Sequence, residues 1–278
     1  MTPRPAVTPV ELGEPISING PDGPWWAVRD EVLRRGSCVL VAVLPDWPEH
    51  ADGDAPDERL RGLLGQEWDR YVSLPHAQMR KRFAVSRTLL KEAAGAVLGT
   101  SAELLELGVS PGGRPYLRGH AQLDITLSHT EEVLLVGLTT RGLIGVDVEQ
   151  ADRTLVSGQA PPHICTPWER EQLLSLPDEE RGEALVRFWT LKEAFTKAIG
   201  QGLRFPFNGF CFGPDDGVVR VLRADGTPGS GDEWTFVSHR VSRRHIAGVA
   251  LYDTGTGGQP SLGATVLDEG VRRALAGG

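Results

Sequence analysis

Apolar and polar positions along the chain change period several times, and each change predicts an element. CVLVAVLPDW (38–47) is a short apolar, β-rich run closed by Pro45, which predicts a buried strand. From Arg59 to Val97 the apolar spacing becomes helical, with a break at Pro75, so HAQMRKRFAVSRTLLKEAAGAVLG (76–99) predicts one long amphipathic helix. After a glycine turn, PGGRPYL (111–117), come DITLSHT (124–130) and EVLLVGL (132–138). A tight turn at 140–142 then leads into RGLIGVDVEQ, so residues 124–149 predict adjoining strands of an antiparallel sheet. A second cycle predicts helices over 168–176 and 180–199, followed by the strand-like GFCFG, GVVRVLR, EWTFVSHRV and HIAGVALYD. EVLLVGL and HIAGVALYD hold corresponding places in the two halves, a hint of duplication that predicts two α+β lobes.

The first 24 residues carry six prolines and predict an extended arm, while ADGDAPDE (51–58) predicts an acidic loop and the tail a short terminal helix. The expected divisions are an N-terminal arm (1–35), two α+β lobes (36–150 and 151–256) and a C-terminal tail (257–278). At 278 residues the chain is long enough for a substantial core. A formal net charge of −8 argues against nucleic acid as a partner, since phosphate binding requires a basic face. Neither a signal peptide nor an apolar run approaching the roughly 18 residues of a membrane span is present, so no membrane association is expected. Three scattered cysteines suggest neither a disulfide framework nor a zinc site, and fit a reducing cytoplasm.

Two stretches carry candidate chemistry. In GVDVE, Asp147 and Glu149 stand two apart on a strand and share a face, roughly 7 Å apart along it. Two anions so placed either face water on an edge strand or share a cation, and magnesium suits the second case. In RFWTLKEAFTKAIGQGL (187–203), helical spacing puts Trp189, Glu193 and Lys197 on one face, beside a core stripe of Phe188, Leu191, Phe195 and Ile199. Glu193 and Lys197 alone could be a surface ion pair. Together with Asp147 and Glu149 they predict a three-carboxylate magnesium cage with a lysine beside it for phosphate. Lys192 lies about 100° of helical turn away from Glu193 and is expected to support phosphate binding.

These residues match a family. GVDVE followed by FWTLKEAFTKAIGQGL resembles the paired signatures of the Sfp-type phosphopantetheinyl transferases, GxDxE and (F/W)xxKExxxKxxGxGL. GGRPYL (112–117), LSHT (127–130) and RFAVSRTLL (82–90) are similar to further family segments in the same order, over about residues 36–255. The resemblance implies a pseudo-twofold monomer of two similar α+β lobes, with coenzyme A and Mg²⁺ held in the cleft between them. It implies transfer of the phosphopantetheine arm of coenzyme A to a serine of an acyl or peptidyl carrier protein, with release of 3′,5′-ADP, as in polyketide or nonribosomal peptide biosynthesis. Asp147, Glu149 and Glu193 would bind the metal, and Lys197 a coenzyme A phosphate. Ser128 and His129 would contact coenzyme A, joined by Gly113 and Arg114 in the glycine turn and by Arg82 and Arg87 in the basic helix. Glu193, or a water activated by the metal, is the expected base for the serine proton, and 151–180 the expected carrier-docking segment. A magnesium-dependent nuclease and a non-catalytic carrier-binding module are the competing readings.

Overall fold

The computed structural model describes residues 11–47, 58–153, 162–215, 218–230 and 233–253; the expected acidic loop, except Glu58, which begins a helix, and the expected terminal helix lie outside them. The first half contains β1 (Ile16–Ser17), α1 (Trp25–Arg35), β2 (Ser37–Val43), α2 (Glu58–Leu64), α3 (Trp68–Ser73) and α4 (Ala77–Leu98). It continues through β3 (Leu107–Val109), β4 (Pro115–Leu117), β5 (Asp124–His129), β6 (Val133–Thr139) and β7 (Gly142–Gln150). Then follow α5 (Pro167–Ser175), α6 (Asp178–Ala198), β8 (Phe210–Asp215), β9 (Val218–Arg223), β10 (Trp234–Arg240) and β11 (His245–Asp253). The fold is mixed α+β. Among the described residues no helix is long and apolar enough to cross a membrane.

Alternation along the strands explains the layering. In β2, Cys38, Leu40 and Ala42 face α1 and α4, while Val39 and Val41 face the other way. Leu134, Val136 and Leu138 of β6 make the same choice as the first set, and Val133 and Leu135 as the second. The reverse face of this sheet, ordered β1-β2-β6-β5, packs on a second sheet, ordered β10-β11-β7, through Ile144, Val146, Val148, Ala247, Val249 and Leu251. Helix α6 covers the far side of the second sheet, where Phe195 sits among Phe210, Phe212, Trp234 and Phe236.

Two expectations change. β7 does not extend the β5–β6 hairpin: it pairs antiparallel with β11 along its whole length, from Gly142↔Asp253 to Gln150↔His245. Its Ile144, Val146 and Val148 stack over the first sheet while Leu143 turns to the α6 side, and it takes its hydrogen bonds from a strand far along the chain. The N-terminal arm, expected to reach residue 35, ends at α1, because Val28 and Val32 are buried in the first core. Part of the remainder, Ile16–Ser17, lies parallel to β2.

The approach of α6 to the second sheet rests on two glycines. A Cβ on Gly145 would stand 1.9 Å from the Ala194 carbonyl oxygen, and one on Gly248 would stand 2.5 Å from the Thr190 carbonyl. Gly248 is the register partner of Asp147. Gly248→Ala is therefore expected to force helix and sheet apart and to cost about 1–3 kcal/mol. Urea denaturation checks this, and an unchanged midpoint would mean the contact has slack.

At the end of the inter-sheet layer, buried His245 faces Ser242 Oγ at 2.9 Å from Nδ1 and Thr130 Oγ1 at 3.5 Å from Nε2, linking β11 to the β5–β6 turn. Burial holds its pKa below the ordinary 6.5; Glu132 and Asp152 oppose that shift and Arg244 adds to it. Below pH 6.5 the unfolded chain takes up a proton that the folded imidazole resists, so stability present above that pH is lost on acidification. His245→Asn should flatten the fall in urea stability between pH 7 and pH 5.5 relative to wild type. Parallel curves for the two proteins would refute this.

Candidate active site

Asp147 and Glu149 share the face of β7 that Gly145 opens to α6, and helix residues one turn apart meet them there. Lys197 Nζ lies 2.6 Å from Asp147 Oδ1 and donates to Ser128 Oγ at 3.0 Å, while the Ser128 hydroxyl donates to the same Asp147 oxygen at 2.8 Å. The other oxygen, Oδ2, is buried and has no hydrogen-bond partner. Water-facing acids on an edge strand would look different, since Asp147 is only 4% exposed. Glu149 pairs with Arg153, whose guanidinium also lies over the Trp189 ring, 5.7 Å from the ring centroid. Ser128, His129, Asp147, Glu149, Glu193 and Lys197 together line a cavity of about 320 Å³. A second cavity of about 380 Å³ shares Leu127, Glu193 and Lys197 with it and continues to Gly113, Arg114 and Arg204.

The electrostatics follow from this crowding. Burial, then the charges of Asp147 and, to a lesser degree, Glu149, pushes the Glu193 carboxyl up to about 7 against the pull of Lys197 and Arg153. Glu149 is raised by burial and by Asp147, with Arg153, Lys197 and the neighbouring Trp189 indole opposing. His129 is lowered by burial and by the charges of Arg82 and Lys197. The imidazole therefore stays neutral at pH 7.

The expected three-carboxylate cage is not ready-made. Among the described residues, no group of three or more His, Cys, Asp and Glu side chains is gathered closely enough to hold a metal ion. Like charges separate, and two of the three acids turn to cations of the chain itself, Asp147 to Lys197 and Glu149 to Arg153. The donor set still fits a hard divalent cation: every group is an oxygen, and Asp147 Oδ2 is a buried, partnerless acceptor.

Three basic residues expected at coenzyme A are occupied elsewhere. Lys192 is wholly buried, spends its ammonium protons on Glu169 (2.6 Å), the Ile164 carbonyl (2.7 Å) and the Phe207 carbonyl (2.6 Å), and lines neither cavity. The 100° that separates it from Glu193 points it into the α5–α6 interface. Arg87 clamps Glu67 (2.7 Å) and stacks over Phe83 (4.2 Å), and lines neither cavity. Arg114 lines the second cavity, but its guanidinium is engaged by Asp124 and by backbone carbonyls. Arg82 lines neither cavity, though its charge reaches His129. Arg153 and Arg204 are site residues that the sequence analysis missed. A basic residue four positions after Glu149, and another closing the GQGLR turn, were the available signals.

An ammonium set against carboxylates in an oxygen-lined cavity, carried on a mixed α+β frame, is an arrangement compatible with phosphate-ester chemistry. The profile of the 4′-phosphopantetheinyl transferase superfamily matches residues 143–250, the stretch holding Asp147, Glu149, Glu193 and Lys197. The chain is 30% identical over 230 residues to the 4′-phosphopantetheinyl transferase pptA of Paxillus involutus, covering 73% of this chain and 83% of that protein. It is 24% identical over 188 residues to the 4′-phosphopantetheinyl transferase of Bacillus subtilis, covering 67% and 82% of the two chains. With the 4′-phosphopantetheinyl transferase HetI of Nostoc sp. the identity is 29% over 157 residues, covering 54% of this chain and 66% of HetI. The chain belongs to the 4′-phosphopantetheinyl transferase family. Membership of a transferase family argues against the nuclease alternative.

Proposed function

We propose that this chain transfers the 4′-phosphopantetheine arm of coenzyme A to a serine of an acyl or peptidyl carrier protein. The observation that carries the reading is Lys197 held 2.6 Å from an aspartate whose second oxygen is buried without a partner, in a cavity that Glu193 and Glu149 also line. Asp147, Glu149 and Glu193 would hold Mg²⁺, which when bound neutralises the pyrophosphate and stabilises charge on its non-bridging oxygens. Lys197 presents its ammonium to the same phosphates as a point charge. Ser128 orients that ammonium through its hydrogen bond, and neutral His129 offers a ring N–H to a phosphate oxygen. Gly113, with φ of 85°, lets the backbone of the second cavity approach the nucleotide end. Glu193, raised by burial, is the group placed to take the serine proton as that oxygen attacks the phosphorus bearing pantetheine and 3′,5′-ADP leaves.

On this reading the chain is a cytoplasmic monomer of two lobes related by a pseudo-twofold axis, with β2–α4–β5–β6 answered by β7–α6–β10–β11. The pairing of β7 with β11 favours a lobe boundary at the 140–141 turn over one after Gln150. The three free, buried cysteines support a reducing compartment.

The test is to incubate the purified chain with coenzyme A, Mg²⁺ and an apo carrier protein and to weigh the carrier. A phosphopantetheine mass gain is expected, and it should disappear in Glu193→Ala. No gain with the wild-type chain overturns the function, while a gain that persists in the variant removes Glu193 from its role.

A further inference from the structure

Arg114 was expected to meet coenzyme A, yet its guanidinium is turned onto the frame of the site. Nη1 donates to the carbonyls of Lys197 and, at 3.4 Å, Ala198, in the last turn of α6. Nη2 donates to the Asp124 carboxylate and, at 2.8 Å, to the Ile144 carbonyl on β7. The same Asp124 oxygen accepts from the Ile144 amide at 2.8 Å, so the Arg–Asp pair grips both backbone groups of one residue. The turn that carries Arg114 is itself fixed, with the Arg114 amide on Ser110 Oγ and the Gly113 amide on the Ser110 carbonyl.

One planar cation thus joins the helix end that bears Lys197 to the strand that bears Asp147. A helix C-terminus has carbonyls without intrahelical partners and a partial negative charge, so a guanidinium is well matched to it. Ile144 is three residues from Asp147, roughly 10 Å along a strand paired over its whole length, so a shift there is carried to the carboxylate.

We propose that Arg114 and Asp124 are positioning residues: a clamp that locks the end of α6 to β7 and so fixes Lys197 over Asp147. The proposal rests on the reading of that cavity given above, but it makes a structural claim of its own. Asp124 lines neither cavity, which separates the clamp from a direct contact with coenzyme A.

The experiment compares full-length Asp124→Asn, Arg114→Lys and the double variant with wild type. Amide hydrogen exchange is read without ligand over peptides spanning 143–149 and 196–202, and kcat and the KM for coenzyme A are read with Mg²⁺ and an apo carrier protein. Lysine keeps the charge but cannot fork to strand and helix together. Each single variant is expected to exchange faster in both segments and to lose at least roughly tenfold in kcat, with KM for coenzyme A changed by no more than about twofold. The double variant should be no worse than the worse single one, because the two residues form one unit. The proposal is overturned if Arg114→Lys behaves as wild type, if Asp124→Asn leaves exchange unchanged, or if KM rises while kcat holds. Should the wild-type chain transfer nothing, the functional reading falls and exchange alone decides the clamp, with unchanged protection counting against it.

Discussion

Replacing Asp147 by asparagine is expected to slow phosphopantetheine transfer by roughly 10²–10³-fold, the scale set by removing one charge-stabilising group from an active site. The substitution keeps the volume of the side chain, and its amide oxygen can still accept from Ser128 and Lys197, as Oδ1 does now. What changes is the other atom. Oδ2 is a buried acceptor with no hydrogen bond, and an amide would put two donor protons where a cation is to be held. An unpartnered buried carboxylate oxygen has a desolvation cost, which makes sense if the position serves a ligand. The loss should therefore fall on kcat and should not be rescued by raising Mg²⁺, while urea stability changes little. A variant turning over near the wild-type rate at saturating Mg²⁺ would show that the charge of Asp147 has no part in the reaction.

The second large effect lies one residue from Glu193 and concerns stability. Lys192 and Glu169 are both wholly buried, and burial pushes the lysine down and the carboxyl up while each partner opposes the shift in the other. Lys192→Met removes the cation and leaves Glu169 buried beside Cys165 and Cys211 without it, which is expected to cost about 3–5 kcal/mol. Glu169 also completes the capping box of α5, its Oε2 accepting from the Thr166 amide at 2.9 Å while Thr166 Oγ1 accepts from the Glu169 amide at 3.1 Å. Glutamine at 169 keeps that cap without the charge, so Lys192→Met combined with Glu169→Gln should recover most of the loss. Urea denaturation of the single and the double variant measures both numbers. Because Lys192 lines neither cavity, the recovered double variant should also keep its transfer activity. A double variant that is stable yet inactive would return Lys192 to phosphate binding.

Lys192, Arg87 and Arg114 show where the sequence stopped being informative. Each lies in a segment that does belong near the site, and each has the charge that phosphate binding would require. Their duties are set by Glu169, Glu67 and Asp124, acceptors that lie 23, 20 and 10 positions away and that no periodicity connects to them. By contrast, Asp147 with Glu149, and Trp189 with Glu193 and Lys197, were legible because their shared faces follow from strand and helix repeat alone.

The sequence by itself determined the long helices α4 and α6, the strands β2, β5–β7 and β8–β11, the two faces that carry the candidate chemistry and the family to which they belong, but not α1. Backbone geometry converts spacing along the chain into direction in space, so those properties are local. Tertiary structure alone decided that β7 leaves its neighbour in sequence to pair with β11, that α6 lies on Gly145 and Gly248, and which cations remain for a ligand. Those outcomes depend on what stands opposite each face, and an element's own repeat carries no record of its partner.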